Sequence, residues 1–154
     1  MSGPGDIPAV FEQGVDGFLI STERSRLELD TIAGFLARSY WASTRQLEVI
    51  ERSIAHSLCF GVYRVEGQEA GESAQVGFAR VISDFATYAY LCDVYIAEEA
   101  RGIGLGKRLI ETVVAHPDLQ DLRRWTLATA DAHELYRPFG FSALAAPDRW
   151  MEKL

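Results

Sequence analysis

Apolar residues along the chain follow two different patterns. Continuous runs of β-branched, aromatic and small apolar residues predict buried strands. Four such runs occur in the first two thirds of the chain, at 18–22, 58–65, 75–82 and 88–97. Apolar residues at 29–37 and 44–56 recur instead at helical spacing, which predicts two amphipathic helices. The chain is therefore expected to begin with a strand, two helices and a meander of strands.

The amino-terminal residues lack either pattern. Residues 1–16 combine prolines and glycines with little periodicity, which is typical of a loose arm. The remaining residues, 17–154, are enough for one domain with a sound hydrophobic core. No internal repeat or linker divides them, so a single folded domain is predicted.

The second half of the chain alternates strands and helices. After the run at 88–97, a glycine-rich turn opens a helix that His116 and Pro117 end. The segments that follow are predicted as a strand at 125–130, a short helix at 132–139 and edge strands near 141–143 and 150–153. This order predicts an α+β fold with a mixed, mostly antiparallel sheet of about seven strands and about four flanking helices.

The glycine-rich turn is the clearest chemical signal in the chain. Unpaired N–H groups and the dipole at a helix amino terminus favour an anion, and glycines let a phosphate approach the backbone closely. Two common phosphate motifs do not fit. A P-loop would need glycine at Arg101 and Ser or Thr at Arg108, and a dinucleotide fingerprint would need a third glycine at Lys107.

The pattern that fits is Arg-x-x-Gly-x-Gly at 101–106, followed about thirty residues later by Ala-His-Glu-Leu-Tyr-Arg-Pro-Phe-Gly-Phe at 132–141. With these two motifs in this order, the chain resembles the GNAT superfamily of acyl-coenzyme A dependent N-acyltransferases over residues 18–154. The resemblance implies a sheet whose central parallel strands splay apart around the acyl-coenzyme A site. It also implies acetyl-coenzyme A as cosubstrate, with no metal.

The resemblance assigns two groups of residues to coenzyme A. The backbone near Val94, Tyr95 and Ile96 would pair with the pantetheine arm. The turn that would cradle the pyrophosphate consists of Arg101, Gly102, Ile103, Gly104, Leu105, Gly106 and Lys107.

The implied reaction is direct attack of a primary amine on the thioester, with Tyr136 as the acid that protonates the leaving thiolate. Asp93 is a candidate general base because it is a lone carboxylate in an apolar strand, where burial would raise its pKa. A salt bridge is the alternative for Asp93, and some relatives carry their carboxylate one position earlier, where this chain has Cys92.

Tyr40, Trp41 and Arg45 are candidates for binding the acceptor amine, because in the family the turn between the first two helices commonly lines that pocket. Aromatic side chains there could stack on a flat or cationic group, or they could simply cover the edge of the core. The acceptor itself is expected to be a small molecule, which the sequence does not identify. Two rival functions remain: an acyl-coenzyme A sensor or partner-binding module without turnover, and a nucleotide-binding domain that would prefer ATP.

Charge and composition narrow the possible binding partners and the expected cellular location. A net charge of −7 argues against general binding to nucleic acid or to an anionic membrane, and slightly favours a cationic substrate. No apolar stretch is long enough to span a bilayer, the amino terminus does not look like a signal peptide, and the two cysteines lie in apolar runs. A cytoplasmic location is therefore expected, and exposed strand edges near the carboxyl end would permit a homodimer.

Overall fold

The structure is a computed structural model that describes residues 8–65 and 73–154. In these ranges the chain forms one six-stranded sheet in the order β1-β2-β3-β4-β5-β6. All neighbouring strands are antiparallel except the parallel pair β5 and β6. The strands are β1 Glu12–Val15, β2 Phe18–Ser21, β3 Leu58–Arg64, β4 Gln75–Ser83, β5 Tyr88–Ile96 and β6 Arg124–Leu127. The predicted mixed, mostly antiparallel α+β fold is confirmed.

Helices cover both faces of the sheet. They are α1 Leu29–Ala37, α2 Leu47–Ala55, α3 Leu105–Ala115 and α4 His133–Tyr136. Successive side chains of a strand point to opposite faces. On β3, Cys59 contacts the backbone of α2 through the Ile54 carbonyl, whereas Phe60 packs against the ring of His116 at the end of α3. Hence α2 and the end of α3 lie on opposite faces. No helix in the described ranges is long and apolar enough to cross a bilayer.

The amino-terminal prediction needs a correction. Residues 12–15, predicted as part of a loose arm, form β1 and pair with β2. The hairpin turns at Asp16 and Gly17, both with positive φ (37° and 86°), and Asp-Gly is a favoured pair for such a turn. This short signal was missed because β1 is too brief to show alternation. Residues 1–7, the other end of the predicted arm, lie outside the described residues.

The predicted count of about seven strands is also too high, since the described residues contain six. The segments 141–143 and 150–153 form no strand, and a short 3₁₀ turn at Pro147–Arg149 lies between them. Alanine is depleted in strands, and it occupies three of the five positions between Phe141 and this turn. The second helix is also shorter than predicted, beginning at Leu47 rather than near Thr44.

A bulge in β5 shapes the centre of the sheet. Phe78 of β4 pairs with Tyr95, but Arg80 pairs with Cys92, so Asp93 and Val94 together stand opposite one residue of β4. Asp93 has a φ of 53°, the left-handed conformation that such a bulge uses. On the other side of β5, the pairing with β6 ends at Leu91 and Leu127, just before the bulge. The two parallel strands separate from that point and leave a cleft.

Candidate functional site

The cleft between β5 and β6 has a volume of about 660 Å³. It lies where the carboxyl ends of two parallel strands part, a usual position for a ligand in such sheets. Most of the residues that the sequence proposed as functional meet there. The lining comprises residues 38–41, 90–96, 101, 106, 127–132, 135 and 136.

The glycine turn reaches one end of the cleft through Arg101 and Gly106, whereas residues 102–105 and Lys107 do not line it. Gly102 and Gly104 have φ of 85° and 84°, and Gly104 precedes α3 without any side-chain cap. In the described residues, the first backbone N–H of α3 that finds a carbonyl is that of Arg108, so the N–H groups at 105–107 remain free to bind a ligand. A Cβ added at Gly102 or Gly104 would meet no atom within 4 Å. The turn is thus an open cradle of donors at a positive helix end, as an anion requires.

Side chains around the turn have different roles. Arg101 donates from Nε to the carbonyl of Ile96 at 2.8 Å and lies 5.1 Å from the ring of Tyr95, so it fastens the turn to the end of β5. Lys107 is exposed in the first turn of α3, where its ammonium adds positive charge. Leu105 is buried in the core and Ile103 is exposed, so these two residues offer the cradle only their backbone.

The side walls of the cleft come from β5 and α4. Beyond Leu91, β5 pairs only with β4, which leaves the other backbone edge of Val94 to Ile96 without a strand partner, although the Ile96 carbonyl accepts from Arg101 Nε. Tyr95 stacks on Phe35 of α1 at 5.0 Å, and this contact holds that part of β5 in place. The predicted pantetheine-binding segment is therefore an unpaired strand edge beside the cradle.

Tyr136 lines the cleft from α4. Only 8% of it is exposed, and its ring packs edge-on against Phe141 at 6.0 Å. Burial raises the pKa of Tyr136 to about 12, and the neighbouring Tyr40 acts in the same direction. The phenol is therefore protonated at neutral pH and available as a donor inside the cleft.

Asp93 does not have the environment of a general base. Its carboxylate accepts hydrogen bonds from Trp41 Nε1 at 2.9 Å, Arg45 Nη1 at 2.8 Å and Arg80 Nε at 2.9 Å. Burial raises its pKa, but the bonds from Arg80 and Arg45 outweigh burial and leave the pKa of Asp93 below its ordinary value. We therefore assign Asp93 to a buried ion-pair cluster, the alternative that the sequence had left open.

The acceptor-side candidates fall into two groups. Tyr40 and Trp41 line the cleft, are 62% and 41% exposed, and meet edge to face, so they do more than cover the core. The Tyr40 hydroxyl accepts a hydrogen bond from the Ala130 N–H at 3.0 Å, which connects the turn after α1 to the segment after β6. Arg45 is not a lining residue, because its guanidinium is turned toward Asp93.

Among the residues of the site that sequence reasoning missed, three are large and polar: Arg80, Arg38 and Tyr90. Arg80 interrupts the apolar run of β4 just as Asp93 interrupts that of β5, and two lone opposite charges in neighbouring strands were a usable signal. Arg38 and Tyr90 line the cleft but gave no local signal.

Cys92, another lining residue, is no nucleophile, because burial raises the pKa of its thiol to about 11. Within residues 8–65 and 73–154, no group of three His, Cys, Asp or Glu side chains is placed to hold a metal ion.

Known proteins that are similar to this chain are acetyltransferases by family or by name. A family model for the GNAT acetyltransferase domain matches residues 56–143. A Gibberella zeae protein named as an acetyltransferase is 32% identical over 135 residues, which cover 77% of this chain and 75% of that protein.

Solved structures show the same relationship. A crystal structure of a GNAT-family protein from Xanthomonas campestris is 45% identical, with a TM-score of 0.81, and the match covers 92% of this chain and 95% of that one. A Clostridium acetobutylicum structure with acetyl-CoA, 13% identical and with a TM-score of 0.58, shares the fold over 95% of this chain and 96% of its own. The family model and the two more similar proteins together establish that the chain belongs to the GNAT family of acetyltransferases.

Proposed function

We propose that this chain transfers the acetyl group of acetyl-coenzyme A to a primary amine of a small molecule. The observation that carries the proposal is the continuity of one cleft from an open anion cradle, along an unpaired strand edge, to a buried protonated phenol. A chain of similar fold, from Clostridium acetobutylicum, was solved with acetyl-CoA, which supports the choice of cosubstrate.

The residues present fit coenzyme A. The N–H groups at 105–107 and the exposed Lys107 would hold the pyrophosphate, since both supply positive charge to an anion at a helix end. The edge of β5 at Val94 to Ile96, which has no strand partner, would hold the amide groups of the pantetheine arm by strand-like pairing. When bound, coenzyme A supplies the acetyl thioester.

In the proposed reaction, the amine nitrogen forms a bond to the acetyl carbon, the carbon–sulfur bond breaks, and the sulfur leaves with the electron pair of that bond. Tyr136 donates a hydrogen bond, and finally a proton, to the departing sulfur. Its pKa of about 12 keeps it protonated at neutral pH, although it makes the phenol a weaker acid than an exposed tyrosine. The amine loses its own proton to water, because both oxygens of Asp93 are already occupied by donors.

The engagement of the Asp93 carboxylate by hydrogen-bond donors favours one rival function, that of a sensor. A cleft whose buried carboxylate is engaged could bind acyl-coenzyme A as a sensor without turnover. Enzyme and sensor share the cradle and differ only in chemistry, so binding and turnover must be measured separately.

The first experiment compares melting temperatures with acetyl-coenzyme A, free coenzyme A and ATP. A ligand at a hundred times its dissociation constant stabilises the folded state by about 2.7 kcal/mol, which for a chain of this size raises the melting temperature by several degrees. We expect both coenzyme A ligands to give this shift. A larger shift with ATP would instead indicate a nucleotide-binding domain.

The second experiment measures thiol release from acetyl-coenzyme A with a panel of amines. Tyr136→Phe should lower kcat by about 10²-fold or more while leaving the dissociation constant of coenzyme A unchanged, because positioned acids contribute at least that much. Tyr63→Phe is the matched control: the Tyr63 hydroxyl is buried, has no partner in the described residues and lies outside the cleft. Coenzyme A binding without turnover of any amine by the parent protein would favour the sensor.

A further inference from the structure

The acceptor side of the cleft is more basic than the chain as a whole. Arg38 follows α1 and lines the cleft beside Tyr40 and Trp41. Its guanidinium lies 5.9 Å from the ring of Phe35. None of the carboxylates in the described ranges is within salt-bridge distance of it. Arg38 is therefore an exposed cation of the cleft lining that has no counterion among the described residues.

The ion-pair cluster behind this wall adds to the positive charge. Two guanidinium groups, those of Arg45 and Arg80, share the single carboxylate of Asp93. The cluster thus carries one excess positive charge, and its side chains are only 24%, 11% and 2% exposed. Water and salt screen buried charges poorly, so the excess acts on a ligand at the adjoining wall.

Acidic residues offset this charge only in part. In the described part of the cleft lining, the acids are Asp93, whose oxygens are engaged, and Asp131, which is exposed on the far wall after β6. The net charge of −7 is therefore distributed elsewhere on the molecule. A polyamine would bring several positive charges to a wall that already has an excess of them.

We infer that the acceptor is an amine that also carries a carboxylate or phosphate group, and that this anionic group pairs with Arg38. The inference rests on the proposed acetyl transfer and names the substrate class of the same cleft. Arg38 is then a specificity-determining residue: it contacts the acceptor outside the reacting atoms. Carboxylate and phosphate share the chemistry that a guanidinium recognises, and separate substrate pairs distinguish them.

The test uses amines that differ by one anionic group. Phenylalanine is compared with phenethylamine, glucosamine 6-phosphate is compared with glucosamine, and spermidine represents the polyamines. We expect kcat/KM to be at least about tenfold higher for the member of one pair that carries the anionic group than for the member that lacks it. In Arg38→Gln that preference should fall to about threefold or less, with most of the change in KM. The dissociation constant of coenzyme A, measured by calorimetry, should not change.

Arg52→Gln is the matched control, because it removes an exposed arginine of α2 that does not line the cleft. It should retain the full preference. The inference is overturned if the parent prefers spermidine or the amines that lack an anionic group. It is also overturned if Arg38→Gln keeps the preference, or if coenzyme A binds but neither amine with an anionic group reacts. Failure of the parent to bind coenzyme A at all would instead remove the proposed function, and with it this inference.

Discussion

Replacing Asp93 with asparagine tests the cluster at the centre of the site. The side chain is 2% exposed and accepts hydrogen bonds from an indole and two guanidinium groups. Asparagine keeps one oxygen for Trp41, but its NH₂ group cannot accept from Arg45 and Arg80. Those two side chains are only 24% and 11% exposed, so water cannot fully replace the lost carboxylate.

Removing one partner of a buried ion pair costs about 3–5 kcal/mol. For a domain of this size, each kcal/mol lowers the melting temperature by about 2–4 °C, so Asp93→Asn should melt about 6–20 °C below the parent. Asp30→Asn makes the same chemical change on the exposed start of α1 and should shift the melting temperature by no more than about 2 °C. Calorimetry and urea unfolding of the three proteins provide the measurement.

The pH dependence of stability independently tests whether the pKa of Asp93 is lowered in the folded chain. Because the pKa of Asp93 is lower in the folded than in the unfolded chain, the carboxylate contributes its stability above about pH 3.9 and loses it as pH falls through the folded pKa. The stability difference between parent and Asp93→Asn should therefore be constant near neutrality and shrink only in acid. A variant that melts within 2 °C of the parent but loses turnover would refute the cluster and restore Asp93 as a general base.

Two further predictions concern the cradle and the core. Gly104→Ala should cost about 1–2 kcal/mol because φ is 84°. It should also weaken coenzyme A binding at least tenfold, because the new methyl group would fill open space at the turn where the pyrophosphate is proposed to bind. Gly17→Ala, with φ of 86° and equally open surroundings, should cost the same stability without affecting binding. Equal coenzyme A dissociation constants for the two variants would contradict the cradle. Burial lowers the pKa of His116, so the free energy of unfolding should fall as pH drops below about 6.5. His116→Asn can still accept a hydrogen bond from the Asp118 N–H. This variant should be less stable than the parent, but urea unfolding should show that its stability no longer depends on pH in this range. If the free energy of unfolding of His116→Asn changes with pH between 5 and 7 as steeply as that of the parent, groups other than His116 cause the pH dependence.

Local features of the chain were predictable from sequence because they depend on near neighbours. The turn at 101–107 and the helix after it follow from glycines that tolerate positive φ and from apolar residues at helical spacing. The long strands were equally clear, since buried runs such as β4 and β5 need little context. Short elements were not: β1 has four residues, and the segments after Phe141 have too little β-propensity to decide between strand and loop.

The state of the site depends instead on contacts between distant parts of the chain. By sequence alone, Asp93 could be a base of raised pKa, or it could form a salt bridge or a strand-end hydrogen bond, which the sequence favoured. Its partners Trp41, Arg45 and Arg80 lie 52, 48 and 13 residues away. The pairing of β4 with β5 brings Arg80 to the carboxylate, and the packing of the segment after α1 onto β5 brings Trp41 and Arg45. Composition likewise gave the sign of the total charge, −7, whereas tertiary structure placed the guanidinium groups of Arg45 and Arg80 on the carboxylate of Asp93 beside the cleft. A pKa and a local electrostatic field are sums over spatial neighbours, and those neighbours exist only once the sheet has formed.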